Sequence, residues 1–305
     1  MYYFIVNPNS QSRKSEKIWG GIQKELKRRG VEYKKFYTRY PGHTPVLVRQ
    51  ICKTYPGEKT IVYLGGDGTV NEVYNGISDF DNVILGYIPT GSGNDYAGSL
   101  GIPSNPLKAL DRILETGTVH EIDYCTVTMN GETRLYAGSA GIGFDAEVCR
   151  LVEQSKTKHI LNKLGLGKLT YLVIALRSLA SHPNVSVTVR ADDGPSVTYP
   201  KTIFVCPMNQ PREGGAMILA PAAKMDDGKL TMCTFYGLSK LKVLFALPLT
   251  YSGRHIGLTG TRQIDCKTAE IRAEKPLPVH VDGEYIGHTD HAVFRVSQRS
   301  VRVIY

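Results

Sequence analysis

A strand that runs directly into a glycine-rich turn, followed by a helix, occurs twice in the first third of the chain. Residues 61–64 form a continuous apolar run that enters the turn at 65–69, and apolar residues then recur at helical spacing. Residues 83–88 form a second such run, which enters a second glycine turn at 91–95. This alternation predicts a parallel sheet covered by helices. Because the carboxyl ends of parallel strands meet at one edge of a sheet, we expect both turns to face one ligand.

The pattern changes near residue 119, where strand-like runs begin to dominate. Asn130-Gly131 between two such runs is a strong hairpin signal, and long helical patterns return only at 166–179 and roughly 240–255. We therefore predict an α/β plus β architecture. A Rossmann-like parallel-sheet nucleotide domain is expected over residues 1–124. A mainly antiparallel β-sandwich domain is expected over 125–305, with a last strand that is able to return to the first domain.

The overall composition limits the class of protein and of partner. The formal net charge of +9 favours an anionic partner, which includes a polyphosphate, a nucleic acid and an acidic membrane surface. No recognisable nucleic-acid-binding module accompanies this charge, so we expect no nucleic-acid partner. No apolar run reaches the roughly 18 residues that a membrane-spanning helix needs. The six cysteines are scattered and form no C-x-x-C pair, which indicates reduced thiols in a reducing compartment.

The first glycine turn carries the chemistry that the sequence shows most clearly. Glycines let the backbone approach a phosphate closely, and the helix that follows adds a partial positive charge at its N-terminus. Asp67 lies beside this phosphate site, where an acid requires a cation or a proton, so Mg²⁺ or acid–base chemistry is predicted. A tight turn with a surface aspartate is the simpler alternative. A Walker A loop is excluded, because Gly167-Lys168 is followed by Leu169 and lacks a glycine at the required offset.

The two turns resemble those of the diacylglycerol kinase catalytic-domain family, which includes bacterial lipid kinases and sphingosine and ceramide kinases. The resemblance continues through residues 140–145 and 221–230 and ends at 281–284, with the motifs in the same order over nearly the whole chain. One departure is the first loop, residues 7–11, which lacks the glycine that the family usually has after the serine.

The resemblance implies roles for individual residues. The nucleotide site would be lined by Thr38, Gly65, Gly66, Asp67, Gly68, Thr69, Val70, Asn71 and Ser92. Catalytic Mg²⁺ would be surrounded, directly or through water, by Asp67, Asp95 and Asp123. A separate structural Mg²⁺ would be bound by Lys224 and Lys229, through their backbone carbonyls, and by the carboxylate of Asp227, a hard oxygen set that suits this ion. Glu284 would be the proton acceptor, and Asp67 is the rival base.

The function implied by this resemblance is an ATP- and Mg²⁺-dependent lipid kinase that phosphorylates a lipid hydroxyl, with a diacylglycerol-like acceptor. A sphingoid base, a monoacylglycerol and a polyprenol stay open as acceptors. The protein would be cytoplasmic and peripherally associated with an anionic membrane surface, and a homodimer is left open. An NAD kinase is the nearest competing enzyme, because that family shares a G-G-D-G-T loop. A nucleotide or lipid sensor without catalysis is the alternative from another class.

A basic stretch between Lys156 and Lys168 has apolar residues interleaved with its lysines. Such a segment is able to contact anionic headgroups while it inserts apolar side chains at the membrane interface. A solvated helix face or ordinary packing explains the same pattern. His288 and His291, with Asp290 between them, are interpreted as part of a solvated turn and not as a metal site.

Overall fold

Residues 1–8, 14–116, 118–154 and 167–305 are described by the structure, a computed structural model of the chain. Within these ranges the strands are β1 (Tyr2–Val6), β2 (Tyr33–Tyr37), β3 (Lys59–Gly65), β4 (Val83–Pro89), β5 (Val119–Met129), β6 (Glu132–Tyr136), β7 (Ala140–Gly143), β8 (Val185–Ala191), β9 (Ser196–Met208), β10 (Arg212–Glu213), β11 (Met217–Ile218), β12 (Leu230–Tyr236), β13 (Thr261–Cys266), β14 (Thr268–Val281) and β15 (Glu284–Ile304). The α-helices are α1 (Lys14–Arg28), α2 (Thr44–Thr54), α3 (Asp67–Tyr74), α4 (Asp95–Leu100), α5 (Pro106–Asp111), α6 (Phe144–Gln154), α7 (Gly167–Ser181) and α8 (Lys240–Thr250).

The N-terminal half is built on parallel strands in the order β2-β1-β3-β4. The central strand β3 is a continuous apolar run whose side chains from Ile61 to Leu64 are all buried, as expected for a strand covered on both faces. Helix α3 buries Val70, Val73 and Tyr74, which are the positions that its helical spacing predicts. These packing surfaces fix the carboxyl ends of the strands, where the glycine turns lie.

The C-terminal half is mainly antiparallel, so the prediction of a two-domain α/β chain with a β-rich second domain is confirmed. Asn130 and Gly131 form the predicted two-residue hairpin between β5 and β6, with Met129 paired to Glu132. Both turn residues have positive φ, 51° and 80°, the backbone that this tight hairpin requires.

Strands of both halves belong to one hydrogen-bonded sheet, because the long strands change partner along their length. β15 is paired with β14 and β5 over most of its length, and its residues 302–304 then lie parallel to β4. Strands β13 and β14 are separated at Lys267, where the amides of Lys267 and Thr268 donate to the side chain of Asp192.

Two sequence features lie wholly or partly outside the described residues. These are the first loop at 9–11 and the basic stretch from Lys156 to residue 166, so the structure does not test their contacts. In the part of the chain that is described, no helix has both the length and the apolar character needed to cross a bilayer.

Candidate active site

The two glycine turns meet at one edge of the parallel strands, as the sequence predicts. The carbonyl of Gly65, the last residue of β3, accepts the backbone N–H groups of Thr90 at 2.7 Å and Gly91 at 3.1 Å. A Cβ atom added to Gly91 would lie 2.5 Å from the Cα of Gly66, which is closer than real side chains approach. Glycine is therefore required at this crossing, and the two turns form one continuous backbone surface.

The residues predicted to bind nucleotide lie along this edge. Helix α3 begins at Asp67, so its N-terminal partial positive charge is directed at the junction of the two turns. Thr38 directly follows β2, is buried, and donates its backbone N–H to Val6 at the end of β1. Ser92 is exposed in the second turn. These positions match the shape of a phosphate-binding edge.

Asp67 joins the two turns through its carboxylate. Its oxygens accept the backbone N–H groups of Asp95 at 3.2 Å and Tyr96 at 3.0 Å, at the N-terminus of α4. Burial raises the pKa of Asp67, and the nearby charge of Asp95 raises it further, while the two N–H donors act in the opposite direction. Asp67 is thus partly buried but surrounded by polar groups, and it does not lie in a dry hydrophobic interior.

Asp95 connects the same turn to the second domain. This buried carboxylate accepts the backbone N–H groups of Gly215 at 2.8 Å and Ala216 at 2.7 Å, which lie between β10 and β11. Asp67 and Asp95 are also close to each other. A Cβ atom on Gly93 would lie 3.2 Å from Oδ2 of Asp67 and 3.9 Å from Oδ2 of Asp95. The structure therefore brings together two of the three acids predicted around catalytic Mg²⁺.

The carboxylate of Asp123 contacts a different turn. Its carboxylate accepts the N–H of Gly228 at 2.7 Å, and its own N–H donates to Met225 at 2.7 Å. Burial raises the pKa of Asp123, and the nearby charges of Asp227 and Asp226 add to this effect. Asp123 thus lies with Asp227, one of the predicted ligands of structural Mg²⁺.

That second turn contains the other predicted ligands of structural Mg²⁺. Lys224 and Lys229 lie on either side of Asp227, and all three are exposed. The N–H of Lys229 donates to Oδ1 of Asp227 at 3.0 Å, which fixes the carboxylate within its own turn. Together with Asp123, the turn presents several carboxylates to one another, an arrangement that a hard cation would stabilise.

Glu284 reaches the first turn from the second domain. It is the first residue of β15, and its Oε1 lies 3.7 Å from the position that a Cβ on Gly68 would occupy. The side chain is exposed, but partial desolvation raises its pKa, and the charges of Glu72 and Asp282 raise it further. A carboxylate with a raised pKa, facing the first glycine turn, is suited to accept a proton.

Asp282 has a positioning role that the sequence does not reveal. Its Oδ2 accepts the side-chain amide of Asn71 at 2.7 Å and the N–H of Ala137 at 2.8 Å. Its Oδ1 accepts the N–H groups of Gly138 at 2.8 Å and Ser139 at 3.0 Å. The sequence shows Asp282 and Glu284 as two acids around a glycine, but the structure separates them. Asp282 holds the turn in place, and Asn71 contributes its side chain to that contact.

His280 is the second residue that sequence reasoning missed. It is fully buried, and its Nε2 lies 2.9 Å from Oδ2 of Asp145 and 3.1 Å from Oε1 of Glu213. Burial raises the pKa of Asp145, but the hydrogen bond and charge of His280, together with the hydrogen bonds from Cys206 and Ala146, outweigh burial and lower it. Burial also raises the pKa of Glu213, and there His280 does not reverse the effect. We call Asp145, Glu213 and His280 the imidazole cluster.

The residues of the imidazole cluster could bind a metal, but they are hydrogen-bonded to one another and to the backbone. Its three potential ligand atoms all lie within 4.8 Å of one another. However, Nδ1 of His280 accepts the N–H of Gly283 at 3.2 Å, so the ring proton is on Nε2, the atom that a metal would require. The cluster therefore fixes Gly283, the residue before Glu284. The sequence feature that reflects this cluster is the glycine at position 141. A Cβ atom there would lie 1.6 Å from Oδ2 of Asp145, so a larger residue would displace that carboxylate.

Comparison with known proteins finds matches to two families over nearly the whole chain. Residues 1–127 match the family described as Diacylglycerol kinase catalytic domain. Residues 138–305 match the family described as YegS C-terminal NAD kinase beta sandwich-like domain. Glu284 and the imidazole cluster lie in the second match, whereas the glycine turns, Asp67 and Asp95 lie in the first.

Individual relatives extend over the same length. A Bacillus subtilis protein named "Putative lipid kinase YtlR" is 29% identical over 293 residues, which are 94% of this chain and 94% of that protein. A diacylglycerol kinase of Staphylococcus carnosus is 26% identical over 285 residues, covering 93% of this chain and 88% of the relative. A crystal structure of a diacylglycerol kinase from Bacillus anthracis has a TM-score of 0.72 at 20% identity and covers 100% of this chain and 96% of that one. This last likeness shows the fold.

Proposed function

Because this chain belongs to the diacylglycerol kinase family of lipid kinases, we propose that it transfers the γ-phosphate of ATP, with Mg²⁺, to a hydroxyl of a diacylglycerol-like lipid. The observation that carries the proposal is the meeting of three features at one edge of the sheet. These are the crossed glycine turns, the carboxylates of Asp67 and Asp95, and Glu284 from the second domain.

The nucleotide would lie along the crossed turns. Thr38, Ser92 and residues 65–71 would contact it, with backbone N–H groups facing the phosphates. Asn71 lies in the second turn of α3, and its side chain already donates to Asp282, so it would hold this edge of the site in position. The partial charge of the α3 N-terminus favours the anionic β- and γ-phosphates.

The residues present fit a magnesium ion. Asp67 and Asp95 are close together, and both accept hydrogen bonds from backbone amides, which carry no net charge. They would hold catalytic Mg²⁺, with Asp123 acting at longer range through water. Magnesium bound here would neutralise charge on the phosphates during transfer. Lys224, Asp227 and Lys229 would bind the structural Mg²⁺.

Glu284 would act as the proton acceptor. The lipid hydroxyl oxygen attacks the γ-phosphorus, its proton passes to the Glu284 carboxylate, and the bond between the γ-phosphorus and the leaving oxygen of ADP breaks. The hairpin that carries Glu284 is held by Asp282 and His280, so the base is positioned before substrate binds. Asp67 is less suited to be the base, since both of its oxygens already accept hydrogen bonds from backbone amides.

The cellular setting follows from the two substrates. ATP is cytoplasmic and the acceptor lies in a membrane, so the protein would be a cytoplasmic enzyme that associates peripherally with an anionic membrane surface. The nucleotide domain would be the Rossmann-like unit of residues 1–124, and residues 125–305 would shape the lipid pocket. A homodimer is compatible with this arrangement and is not required by it.

The proposal is tested by radiolabelled phosphate transfer from ATP to a panel that contains diacylglycerol, monoacylglycerol, a sphingoid base, a polyprenol and NAD. Wild type should label an extractable lipid. Asp67→Asn should abolish labelling and retain the fold by circular dichroism, whereas Asp290→Asn, at an exposed aspartate, should label as wild type does. Label on NAD would assign an NAD kinase instead. Binding of ATP without label on any acceptor would assign a sensor.

A further inference from the structure

Helix α8 presents an apolar surface to solvent. The outward side chains Leu241, Leu244 and Phe245 are 63%, 39% and 71% exposed, and Tyr251 just beyond the helix is 58% exposed. The opposite side of the helix buries Val243, Ala246 and Thr250 in the second domain. Apart from its two N-terminal lysines, helix α8 thus has apolar side chains on its exposed side as well as on its buried side. We call the four exposed residues the α8 surface.

The charges in the segment that carries the α8 surface are all of one sign. Residues 237–264 contain no aspartate or glutamate. They include Lys240, Lys242 and Arg254, and all three are exposed. Exposed apolar side chains flanked by cations match the interface of an anionic bilayer, where the apolar groups enter the acyl region and the cations meet lipid phosphates. A second copy of this chain fits less well, because the same cations would face one another.

The α8 surface is connected to the candidate active site through packed residues. His255, buried five residues after the helix, has its Nε2 3.0 Å from the carbonyl oxygen of Leu219. A Cβ on Gly253 would lie 3.3 Å from Pro221. Residues 217–221 follow directly after Gly215 and Ala216, whose amides hold Asp95. The segment that packs beneath the surface is therefore continuous with the loop that positions an active-site carboxylate.

We propose that the α8 surface docks the protein on an anionic phospholipid bilayer, with Leu241 and Phe245 inserted among the acyl chains and Lys242 and Arg254 at the headgroups. The inference rests on the proposed function, because a kinase for a bilayer lipid has to meet its acceptor at the membrane. It adds the surface of this chain that makes the contact.

Co-sedimentation with vesicles, in the absence of nucleotide, tests the docking directly. Wild type should bind vesicles of equimolar phosphatidylcholine and phosphatidylglycerol. The double variant Leu241→Ser, Phe245→Ser should bind them at least about tenfold more weakly, the scale set by losing buried apolar side chains. Leu107→Ser removes a side chain of similar exposure, 44%, on α5 and should bind as wild type does. Wild-type binding by the double variant would overturn the proposal.

Two further variants separate insertion from charge and from self-association. Phe245→Trp should show a blue-shifted emission on the anionic vesicles, measured against the buried Trp19 of wild type. Lys242→Gln with Arg254→Gln should lose the preference for phosphatidylglycerol over phosphatidylcholine alone. If the Leu241→Ser, Phe245→Ser variant instead converts a dimer to a monomer in sedimentation velocity and binds vesicles normally, the surface is a dimer interface and the docking proposal fails.

A water-soluble, short-chain acceptor separates the docking proposal from the proposed function. The double variant should phosphorylate this acceptor as wild type does, while its rate on vesicle-bound lipid falls. If wild type phosphorylates no acceptor but still binds vesicles through the α8 surface, the proposed function fails and docking stands. If wild type is active on the soluble acceptor and the double variant loses nothing on vesicles, docking fails and the function stands.

Discussion

Two groups of carboxylates in this molecule are held by different means. At the edge of the parallel strands, Asp67 and Asp95 accept hydrogen bonds from backbone amides of neighbouring loops. In the imidazole cluster, Asp145 and Glu213 face one side chain, His280. Amides carry no net charge, so the first group keeps its negative charge available to a cation or a substrate. The second group has its partner, His280, within the protein. Its contribution is to hold the hairpin that carries Glu284.

The comparison predicts that Glu284→Gln has a large effect on activity and little effect on stability. Glu284 is exposed, so its replacement removes few packing contacts. Loss of a general base costs about 10²- to 10⁴-fold in rate, and kcat of phosphate transfer should fall by that amount. The urea midpoint should stay at the wild-type value. Glu132→Gln, at another exposed glutamate, should leave kcat unchanged. Near-wild-type activity of Glu284→Gln would move the role of base to Asp67.

His280→Ala should instead reduce stability first. The imidazole donates to the buried carboxylate of Asp145, so its removal leaves a buried charge without that partner, and the free energy of unfolding should fall by about 3–5 kcal/mol in urea titrations. Glu213→Gln should cost much less, because burial raises the pKa of Glu213 and the neutral amide has nearly the same shape. If the two variants were equally destabilised, the cluster would not depend on the imidazole. His280→Gln keeps a donor toward Asp145 and serves as the folded variant for kinetics.

The pH dependence of stability should distinguish Asp67 from its amide variant. Burial raises the pKa of Asp67, so folding favours the protonated form. The stability that this group contributes is fully present below its pKa in the unfolded chain and is lost as pH rises through its pKa in the folded protein. Wild type should therefore lose stability relative to Asp67→Asn between acid and neutral pH. Urea titrations of both proteins across this range check it, and a constant difference would contradict it.

The smallest effect is expected from Glu72→Gln. After partial burial, the charge of Glu72 is the largest cause of the raised pKa of Glu284. Its removal should lower the pKa of Glu284 and move the acid limb of the kcat/KM profile to lower pH. Glu153→Gln should cause a weaker shift in the same direction, because Glu153 is a lesser cause. A shift to higher pH would show that the limb reports another group.

The sequence predicted the crossed glycine turns because their position follows from a local rule. Each turn ends a strand of the same parallel sheet, so adjacency needs no knowledge of distant contacts. The contact between Gly66 and Gly91 confirms this prediction. Asp123 was placed by resemblance with the catalytic acids, and its observed contacts with the turn at 225–228 depend on how the second domain packs against β5.

The imidazole cluster could not be predicted from spacing. His280 and Asp145 are 135 positions apart, and Asn71 and Asp282 are 211 apart. Their meeting depends on the register of β14 against β7, in which His280 is paired with Gly141. A shift of that register by one residue would turn His280 to the other face of the sheet. No local pattern in either strand specifies this alignment.

The length of β15 has a consequence for how the protein is made. This strand begins at Glu284 and ends beside β4, so the open edge of β4 is covered only when residues 302–304 have left the ribosome. The N-terminal half of the nascent chain therefore has an exposed strand edge for nearly the entire translation time of the second half. Pauses late in synthesis should prolong this vulnerable interval, and chaperones that shield strand edges would matter most there.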